Sequence, residues 1–314
     1  MQYTTIRMGD GTERKISRLV LGSVHFGTMI SQDDAFRMMD MFWEAGGNAI
    51  DTARVYGSWI PGEEAPSERT IGAWVRARGL EKEVFIMTKG AHPPMEDMHH
   101  SRLSREDILF DAERSVEILG LPKIDLYYLH RDDVSRPVSD IMGSLDEAMR
   151  KLPILAIGAS NWRADRIREA NAFAASADIA PFTASELRWS YVQFPEGFGD
   201  DTLVTMDAQE YTAYIRMDLA VMAYSSQGNG LFLKGYAPDL SDLPERIRFM
   251  ATEENIARYR RLLAATKEQG ISPSRYVIRH ITDDPNLNAL ALVGCSKIEQ
   301  LKQSLEAMEE IEHV

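Results

Sequence analysis

Cysteine is almost absent from this sequence, and long apolar runs are missing. Cys295 is the only cysteine among 314 residues, so the chain cannot form an internal disulfide and a reducing compartment is expected. No stretch approaches the ~18 consecutive apolar residues that indicate a membrane-spanning helix. The first residues, MQYTTIRMGDGTERK, lack the apolar segment of a secretory signal. We therefore expect a cytoplasmic protein without a membrane segment.

Basic residues are scarce relative to acidic ones. Lysine and arginine total 35, aspartate and glutamate total 48, and the formal net charge is −13. Because binding to a phosphate backbone needs clustered Lys and Arg, this balance disfavours nucleic acid and anionic membrane surfaces as partners. Hydrophobic residues make up 44% and charged residues 26%, as is usual for a soluble protein with a large core. The negative net charge does not exclude a local basic pocket for a phosphate.

Short apolar segments alternate with longer segments of helical periodicity from residue 19 onward. The helical segments include 33–44, 106–119, 255–267 and 273–282, and a further helix begins at Ser67. The apolar segments have the length and composition of buried strands. They comprise residues 19–21, 49–50, 84–87, 124–129, 154–159, 182–185, 220–223 and 287–293.

This alternation predicts the fold class. Strands that alternate with helices indicate an α/β protein with a parallel sheet, and eight such units predict a TIM (β/α)8 barrel. An Asp-Gly turn at residues 9–11 lies between two strand-like segments and predicts a β-hairpin ahead of the barrel. No linker rich in proline, glycine or serine interrupts the chain, so residues 1–314 are expected to form one domain. Long loops are expected at 90–105, after the third barrel strand, and at 225–250, after the seventh.

Polar residues stand at the ends of the predicted barrel strands. Because the C-terminal ends of all strands in a TIM barrel meet on one face, these side chains are expected to share one cavity although they are far apart in sequence. In chain order they are Asp51, Lys89, His130, Ser160, Asn161, Glu186, Ser225 and Ser296.

Four side chains in or near this set could together deliver a proton to a carbonyl oxygen. Tyr56 lies in the loop after Asp51 and is the proton donor in this hypothesis. A free Tyr has a pKa near ~10, and a nearby ammonium at Lys89 would lower that pKa. Asp51 would hold Lys89 charged, and His130 would donate a hydrogen bond that orients the carbonyl. This arrangement suits a carbonyl carbon that receives a hydride.

Each of these residues also has an ordinary structural interpretation when it is considered alone. Asp51 could cap a helix N-terminus, and Lys89 could be a surface lysine whose stem packs on apolar groups. Tyr56 could be a half-buried packing residue, and His130 a hydrogen-bonded residue of the barrel rim. Their joint placement favours the catalytic interpretation.

Short motifs around these residues resemble the catalytic signatures of the aldo-keto reductase superfamily. The strings are Asp51-Thr52-Ala53, Val55-Tyr56-Gly57, Thr88-Lys89-Gly90 and Leu129-His130, together with GASNW at 158–162. The resemblance runs from the N-terminal hairpin to GCSKIEQL at 294–301. It implies an eight-stranded barrel that binds NADPH, or NADH in some members, and reduces aldehydes and ketones.

The resemblance also implies where a dinucleotide would lie, with one group of residues at each part of the cofactor. The group near the nicotinamide is Gly22, Ser23, Val24, Asp51, Ser160, Asn161, Glu186 and Trp189, the last as the ring that stacks on the nicotinamide. The group along the pyrophosphate is Ser225, Gln227, Gly228, Gly230 and Leu231. The group around the 2′-phosphate, ribose and adenine is Ser296, Lys297, Gln300, Gln303 and Ser304. Lys297 favours NADPH over NADH in this interpretation.

The chain departs from the superfamily pattern at two of these positions. Glu186 stands where glutamine is usual beside the carboxamide, and Ser304 replaces a frequent asparagine beside the adenine. A carboxylate can accept a hydrogen bond from the carboxamide NH₂ but cannot donate one to its C=O. Glu186 also places negative charge near a ring that becomes cationic on oxidation. We therefore expect it to favour the oxidised cofactor.

The substrate pocket is expected to be walled by the long loops, with four candidate residues: Trp59, His92, Trp162 and Phe232.

The predicted reaction is hydride transfer from NADPH to an aldehyde, ketone or keto-sugar. Two alternatives stay open. One is NAD(P)-dependent oxidation of a sugar or polyol alcohol, and the other is a cofactor-binding regulatory subunit with little turnover, like the superfamily members that associate with potassium channels. The intact set of four catalytic residues favours turnover.

No metal site is expected. The neighbouring His99 and His100 lack the further ligands that a metal site requires, and no HExxH motif occurs. Tyr56 and His130 can polarise a carbonyl without a metal, so the predicted chemistry does not need one. Cys295 has no basic partner in its sequence neighbourhood and is expected to be a small packing residue.

Overall fold

The computed structural model describes residues 1–309, and its centre is a closed barrel of eight parallel strands. The strands follow one another around the barrel in chain order, and the last pairs with the first. The prediction of a TIM (β/α)8 barrel is confirmed. The barrel strands are β3 (Leu19–Gly22), β4 (Ala49–Asp51), β5 (Phe85–Gly90), β6 (Leu126–Leu129), β7 (Ile157–Ser160), β8 (Phe182–Arg188), β9 (Ala220–Tyr224) and β10 (Asn288–Gly294).

The predicted hairpin lies ahead of the barrel and consists of β1 (Tyr3–Arg7) and β2 (Glu13–Ser17), paired antiparallel. Gly11 adopts a φ of +82° in the turn, a conformation that favours glycine. Ile6, Met8 and Ile16 are buried and pack with residues of the barrel interior. The hairpin therefore covers the end of the barrel at which the strands begin.

Helices surround the barrel and bury their apolar faces against its outer surface. Side chains just before several helices accept hydrogen bonds from first-turn amides, as Ser104 does from the backbone N–H of Asp107 at 3.1 Å. None of the helices within residues 1–309 combines the length and apolar character needed to cross a bilayer. In the described residues they are α1 (Gln32–Glu44), α2 (Pro66–Arg78), α3 (Arg105–Leu119), α4 (Val138–Lys151), α5 (Ala164–Ala177), α6 (Ala208–Tyr214), α7 (Glu253–Gln269), α8 (Pro273–Thr282) and α9 (Ile298–Glu306).

Besides residues 52–65, the connection that carries Tyr56, three long connections lie at the C-terminal ends of the strands within residues 1–309. Residues 91–104 after β5 contain no helix, and residues 225–252 after β9 contain two short 3₁₀ helices, Gly228–Leu233 and Glu245–Met250. Both were expected. The third, residues 189–207 between β8 and α6, is not anticipated by the sequence pattern. That the whole chain forms one domain, 1–314, stays a prediction, and its last five positions lie outside the described residues.

Side chains that point into the barrel form layers. Since successive side chains on a strand alternate between faces, residues two positions apart point the same way. The apolar layer in the middle of the barrel is therefore followed, two residues nearer the C-terminal ends, by a layer of polar and aromatic groups. The pairs are Ala49 with Asp51, Met87 with Lys89, Tyr128 with His130, Ala184 with Glu186 and Met222 with Tyr224.

Candidate active site

Lys89 and Asp51 form a buried ion pair on the neighbouring strands β5 and β4. The Nζ of Lys89 lies 2.6 Å from both carboxylate oxygens of Asp51 and donates a third hydrogen bond to the carbonyl of Thr52 at 3.0 Å. Their side chains are 0% and 1% exposed. Burial by itself would lower the pKa of Lys89, but the carboxylates of Asp51 and Glu186 outweigh it and raise that pKa. Lys89 is thereby held as an ammonium.

Tyr56 lies in the loop after β4 and faces the same ammonium. Its backbone N–H donates to the carbonyl of Ala53 at 3.0 Å, which closes a turn in this loop. The Nζ of Lys89 lies 3.4 Å from the Tyr56 hydroxyl oxygen. Burial raises the pKa of Tyr56; Lys89 opposes this rise, and the carboxylates of Asp51 and Glu186 add to it. Lys89 therefore lowers this pKa as expected, but burial and the two carboxyl groups outweigh the one ammonium, and the net shift is upward.

His130 follows β6 and lies beside two other aromatic rings. Its ring centroid is 5.9 Å from that of Tyr56 and 4.5 Å from that of His92, both in edge-on contacts. Burial, His92 and the cations Arg131 and Lys89 all lower the pKa of His130. The Nδ1 of His130 is buried and has no hydrogen-bond partner in residues 1–309. The imidazole is thus neutral and retains hydrogen-bonding capacity beside the phenol.

Glu186 extends from β8 toward the same ion pair. Its Oε2 lies 3.3 Å from the Nζ of Lys89, yet the alignment is not that of a hydrogen bond, and within the described chain this oxygen has no hydrogen-bond partner. The residue is 3% exposed. Burial raises the pKa of Glu186 to about 8, Asp51 adds to the rise, and Lys89 opposes it. Two carboxyl groups therefore share one ammonium at this level of the barrel.

These groups lie at the base of a cavity of ≈ 1010 Å³ at the C-terminal face of the barrel. Asp51, Tyr56 and His130 line one end, and Gln300 and Gln303 on α9 line another part of the wall. The volume is at the upper limit of ordinary ligand pockets, ~1,000 Å³. An elongated ligand can therefore reach from the phenol to the last helix.

A family model settles the relationship to known proteins. The model for the aldo/keto reductase family matches residues 18–313, which is nearly the whole chain. The chain belongs to this family. It is therefore an NAD(P)H-dependent oxidoreductase, and the resemblance inferred from the short motifs is confirmed.

Curated relatives of this aldo/keto reductase are distant but extend over most of its length. Norsolorinic acid reductase stcV of Emericella nidulans is 26% identical over 94% of this chain and 74% of its own length. The putative aryl-alcohol dehydrogenase AAD14 of Saccharomyces cerevisiae is 25% identical over 94% of this chain and 79% of its own length. The uncharacterized oxidoreductase YrpG of Bacillus subtilis is 24% identical over 98% of this chain and 91% of its own length.

Most of the cofactor residues expected from the sequence line the cavity of this aldo/keto reductase. They come from the ends of different strands and from α9, so the fold brings together positions that span the chain. The lining residues among them are Gly22, Ser23, Val24, Asp51, Ser160, Asn161, Glu186, Ser225, Gln227, Gly230, Ser296, Gln300 and Gln303. Their roles toward a cofactor stay predictions.

Two of the expected residues lie away from the cavity because they pack elsewhere. Trp189, expected to stack on a nicotinamide, follows the end of β8 and makes edge-on contacts with Tyr211 and His280, each at 6.2 Å between ring centroids. Leu231 is 4% exposed and belongs to the apolar core outside the barrel. Neither residue lines the cavity wall formed by the described chain.

Three further expected residues flank the cavity instead of lining it. Gly228 lies within the first 3₁₀ helix at a φ of +56°, where a Cβ would lie 2.3 Å from Val192. Ser304 is buried and hydrogen-bonds to Gln227 at 3.2 Å, so it supports a lining residue from behind. Lys297 lines a second, smaller cavity of ≈ 440 Å³ between α1 and the start of α9.

None of the four substrate-pocket candidates lies in the described cavity wall. Trp162 is fully buried, and its Nε1 donates to the carbonyl of Arg131 at 3.1 Å. Phe232 is also buried and stacks on Tyr259 at 5.0 Å. His92 lies behind His130, and Trp59 is 43% exposed on the loop beyond Tyr56. Aromatic residues near strand ends were predicted to wall the pocket, but two of them fill the protein core.

The cavity also contains residues that the sequence interpretation missed. Tyr224 ends β9 two positions beyond the inward-facing Met222, and this spacing could have identified it. Its hydroxyl donates to the Oδ1 of Asn161 at 2.7 Å. Two cations, Lys234 and Arg246, line the wall within the long connection after β9. Because loops lack the regular repeat of strands and helices, the sequence does not show which way the side chains of such loop residues point.

Several residues around the cavity adopt strained backbone conformations. Asn161, Ser225 and Asn229 have φ values of 59°, 52° and 53°, which side chains other than glycine rarely adopt. All three line the cavity. Such strain tends to collect at functional sites, where the surrounding structure holds it in place. The strand ends of this enzyme are thus shaped to present side chains to the cavity.

Proposed function

We propose that this aldo/keto reductase reduces the carbonyl group of a small aldehyde, ketone or keto-sugar, with Tyr56 as the proton donor. The observation that carries the proposal is the 3.4 Å approach of the Lys89 ammonium to the Tyr56 hydroxyl at the base of the cavity. A phenol is a weak acid, and a fixed ammonium stabilises the phenolate that remains after proton donation. A bound nicotinamide dinucleotide would supply the hydride.

Each of the four residues has a separate task in this proposal. Tyr56 donates its proton to the carbonyl oxygen as the carbon accepts hydride. Lys89 stabilises the resulting phenolate, and Asp51 holds the ammonium in place through two 2.6 Å contacts. His130 is neutral, so its ring can donate a hydrogen bond to the carbonyl oxygen without adding a positive charge. The raised pKa of Tyr56 keeps the phenol protonated before the reaction.

The cavity suits a dinucleotide with phosphate groups. Lys234 and Arg246 line it and supply positive charge, although the chain as a whole carries a net charge of −13. Near Tyr56, the cavity has two buried polar atoms without a hydrogen-bond partner in the described structure, one on Glu186 and one on His130. We propose NADPH as the preferred cofactor and NADH as the alternative. Lys297 lines the adjoining smaller cavity, where it could meet a ribose phosphate.

A Tyr56→Phe variant tests the proposal. Purified protein would be given NADPH and a panel of aldehydes, ketones and keto-sugars, including aryl aldehydes because some relatives are named aryl-alcohol dehydrogenases. We expect steady consumption of NADPH that falls by about 10²- to 10⁴-fold in the variant, while NADPH binding, followed by fluorescence, persists. Tyr127→Phe is the matched control, because Tyr127 is fully buried and packs in the core outside the barrel.

Two results would contradict the proposal. Unchanged turnover in Tyr56→Phe would show that the Tyr56 hydroxyl is not the proton donor. Tight NADPH binding with negligible turnover of every substrate in the wild-type protein would support a regulatory subunit. Oxidation of alcohols by the same site is a second candidate, favoured by the carboxyl group of Glu186 beside the ion pair. Assays with NADP⁺ and the matching alcohols measure that direction.

A further inference from the structure

One ammonium and two carboxyl groups meet at the same level of the barrel interior. Lys89 makes two 2.6 Å contacts with Asp51 and one 3.3 Å contact with Glu186. The side chains of all three are at most 4% exposed. The ammonium is therefore matched by the carboxylate of Asp51, and a second negative charge on Glu186 would have no counterion of its own.

An unmatched buried carboxylate is costly, so Glu186 holds a proton unless another positive charge approaches. The titratable groups that face it are Asp51 on β4, Lys89 on β5, Tyr128 on β6, Tyr224 on β9 and the phenol of Tyr56. Lys89 is the only cation among these five. A raised pKa of about 8 for Glu186 agrees with this balance of charge.

The position of Glu186 places it beside the reacting part of a bound cofactor. A carbonyl oxygen that receives the proton of Tyr56 lies within a few ångströms of Lys89, which is itself 3.3 Å from Glu186. The nicotinamide carbon that delivers hydride must contact the same carbonyl. Glu186 also lines the cavity between Ser160 on β7 and Tyr224 on β9. Its carboxyl group is therefore near the ring, which is neutral when reduced and cationic when oxidised.

We propose that Glu186 sets the enzyme's preference for the redox state of the cofactor by exchanging a proton: it stays neutral beside a reduced ring and releases its proton to solvent when an oxidised, cationic ring binds. This inference rests on the proposed function and deepens it. The Glu186 O–H bond breaks, the proton passes to buffer, and the carboxylate pairs with the ring. By linkage, rising pH strengthens binding of the oxidised form relative to the reduced form.

Calorimetric titration of the intact protein with NADP⁺ and with NADPH tests the proposal. Each titration is done at pH 7.5 in two buffers that differ in ionisation enthalpy, so that proton release is counted directly. The phosphates and adenine are the same in both nucleotides, and their contributions cancel in the difference. We expect NADP⁺ to release up to one proton more than NADPH. The ratio of the NADPH to the NADP⁺ affinity should fall with pH, by at most about tenfold per pH unit for one proton.

Glu186→Gln should abolish the difference in proton release and make the affinity ratio independent of pH. Glu68→Gln is the matched control, since Glu68 is equally buried but lies on α2 outside the cavity wall, and it should behave like the wild type. Equal proton release for both nucleotides in the wild type would overturn the inference, as would a difference that persists in Glu186→Gln. If neither nucleotide binds, the proposed function fails as well, and that outcome is distinct from equal release.

Discussion

The ammonium of Lys89 contacts Asp51 at 2.6 Å and Tyr56 at 3.4 Å, so a single lysine links the carboxylate to the phenol. The three side chains come from β4, from the loop that follows it and from β5. Water has almost no access to the link, because Lys89 is 0% exposed. The ion pair between Lys89 and Asp51 therefore supports proton donation by Tyr56 in the proposed reaction. Breaking this pair is also expected to destabilise the folded protein.

Lys89→Met is expected to destabilise the protein by about 3–5 kcal/mol, because it leaves the buried carboxylate of Asp51 without its counterion. The double variant Asp51→Asn/Lys89→Met should recover part of this loss, since it removes a stranded charge. Urea unfolding of the single and double variants measures both effects. A single variant within ~0.5 kcal/mol of the wild type would show that the pair is not desolvated in solution.

Glu68→Gln is expected to stabilise the protein at alkaline pH. Burial raises the pKa of Glu68 to about 7 in the folded state, above the 4.5 that is ordinary for glutamate. The folded state therefore binds more protons, and wild-type stability falls as pH rises from 4.5 to 7. The variant lacks this loss, so its gain should be absent below pH 4.5 and reach about 3 kcal/mol at pH 8. Unfolding free energies at pH 5 and pH 8 provide the check, and an equal gain at both would contradict it.

His92→Asn is expected to make the protein less sensitive to acid. Burial and the cation of Arg131 lower the pKa of His92 to about 4, below the 6.5 that is ordinary for histidine. The unfolded state therefore binds the additional proton, and stability falls as pH decreases from 6.5 to 4, by up to about 3 kcal/mol. Asn retains a polar group that can reach the carbonyl of Pro93, which His92 contacts at 2.6 Å. The slope of unfolding free energy against pH should be shallower in the variant, and an unchanged slope would assign the acid sensitivity to other groups.

Two cations should differ in their effect on cofactor choice. Lys297 lines the smaller cavity beside α9, and Arg246 lines the main cavity. We expect Lys297→Met to weaken NADPH about tenfold with little change for NADH, because only NADPH carries a ribose phosphate. Arg246→Met should weaken both nucleotides if it contacts a phosphate that they share. Dissociation constants of the variants for both nucleotides test these roles. If Lys297→Met weakens NADPH and NADH equally, Lys297 does not contact the ribose phosphate.

Much of this site can be predicted from sequence because it follows the periodicity of strands. Asp51, Lys89, His130 and Glu186 each lie two residues beyond an apolar, inward-facing residue, so an eight-stranded barrel brings them together. The same rule identifies Tyr224, which the sequence analysis did not name. Trp189 was expected at the cavity, and its direction depends on how far β8 extends. It continues to Arg188, and Trp189 then turns toward Tyr211.

The pKa values in the site and the positions of its loop residues could not be predicted from the sequence, for a different reason. Burial, Lys89, Asp51 and Glu186 shift the pKa of Tyr56 in opposing directions. The direction of the net shift depends on distances that no sequence motif determines. Trp162 and Phe232 are apolar enough for a pocket wall or for the core, and only the packed structure decides between them. The connection at 189–207 brings Leu203 to the cavity without any repeat in its sequence that would indicate this.

The N-terminal hairpin has a consequence for chemistry that happens far from it. Ile6, Met8 and Ile16 pack in the same cluster as Met87, and Lys89 is the next inward-facing residue on that strand. The hairpin therefore keeps water from reaching the ammonium of Lys89 through the end of the barrel at which the strands begin. Loss of the hairpin is expected to hydrate that end of the barrel and to weaken the shielding of the ion pair between Lys89 and Asp51, although no hairpin residue lines the cavity wall formed by the described chain.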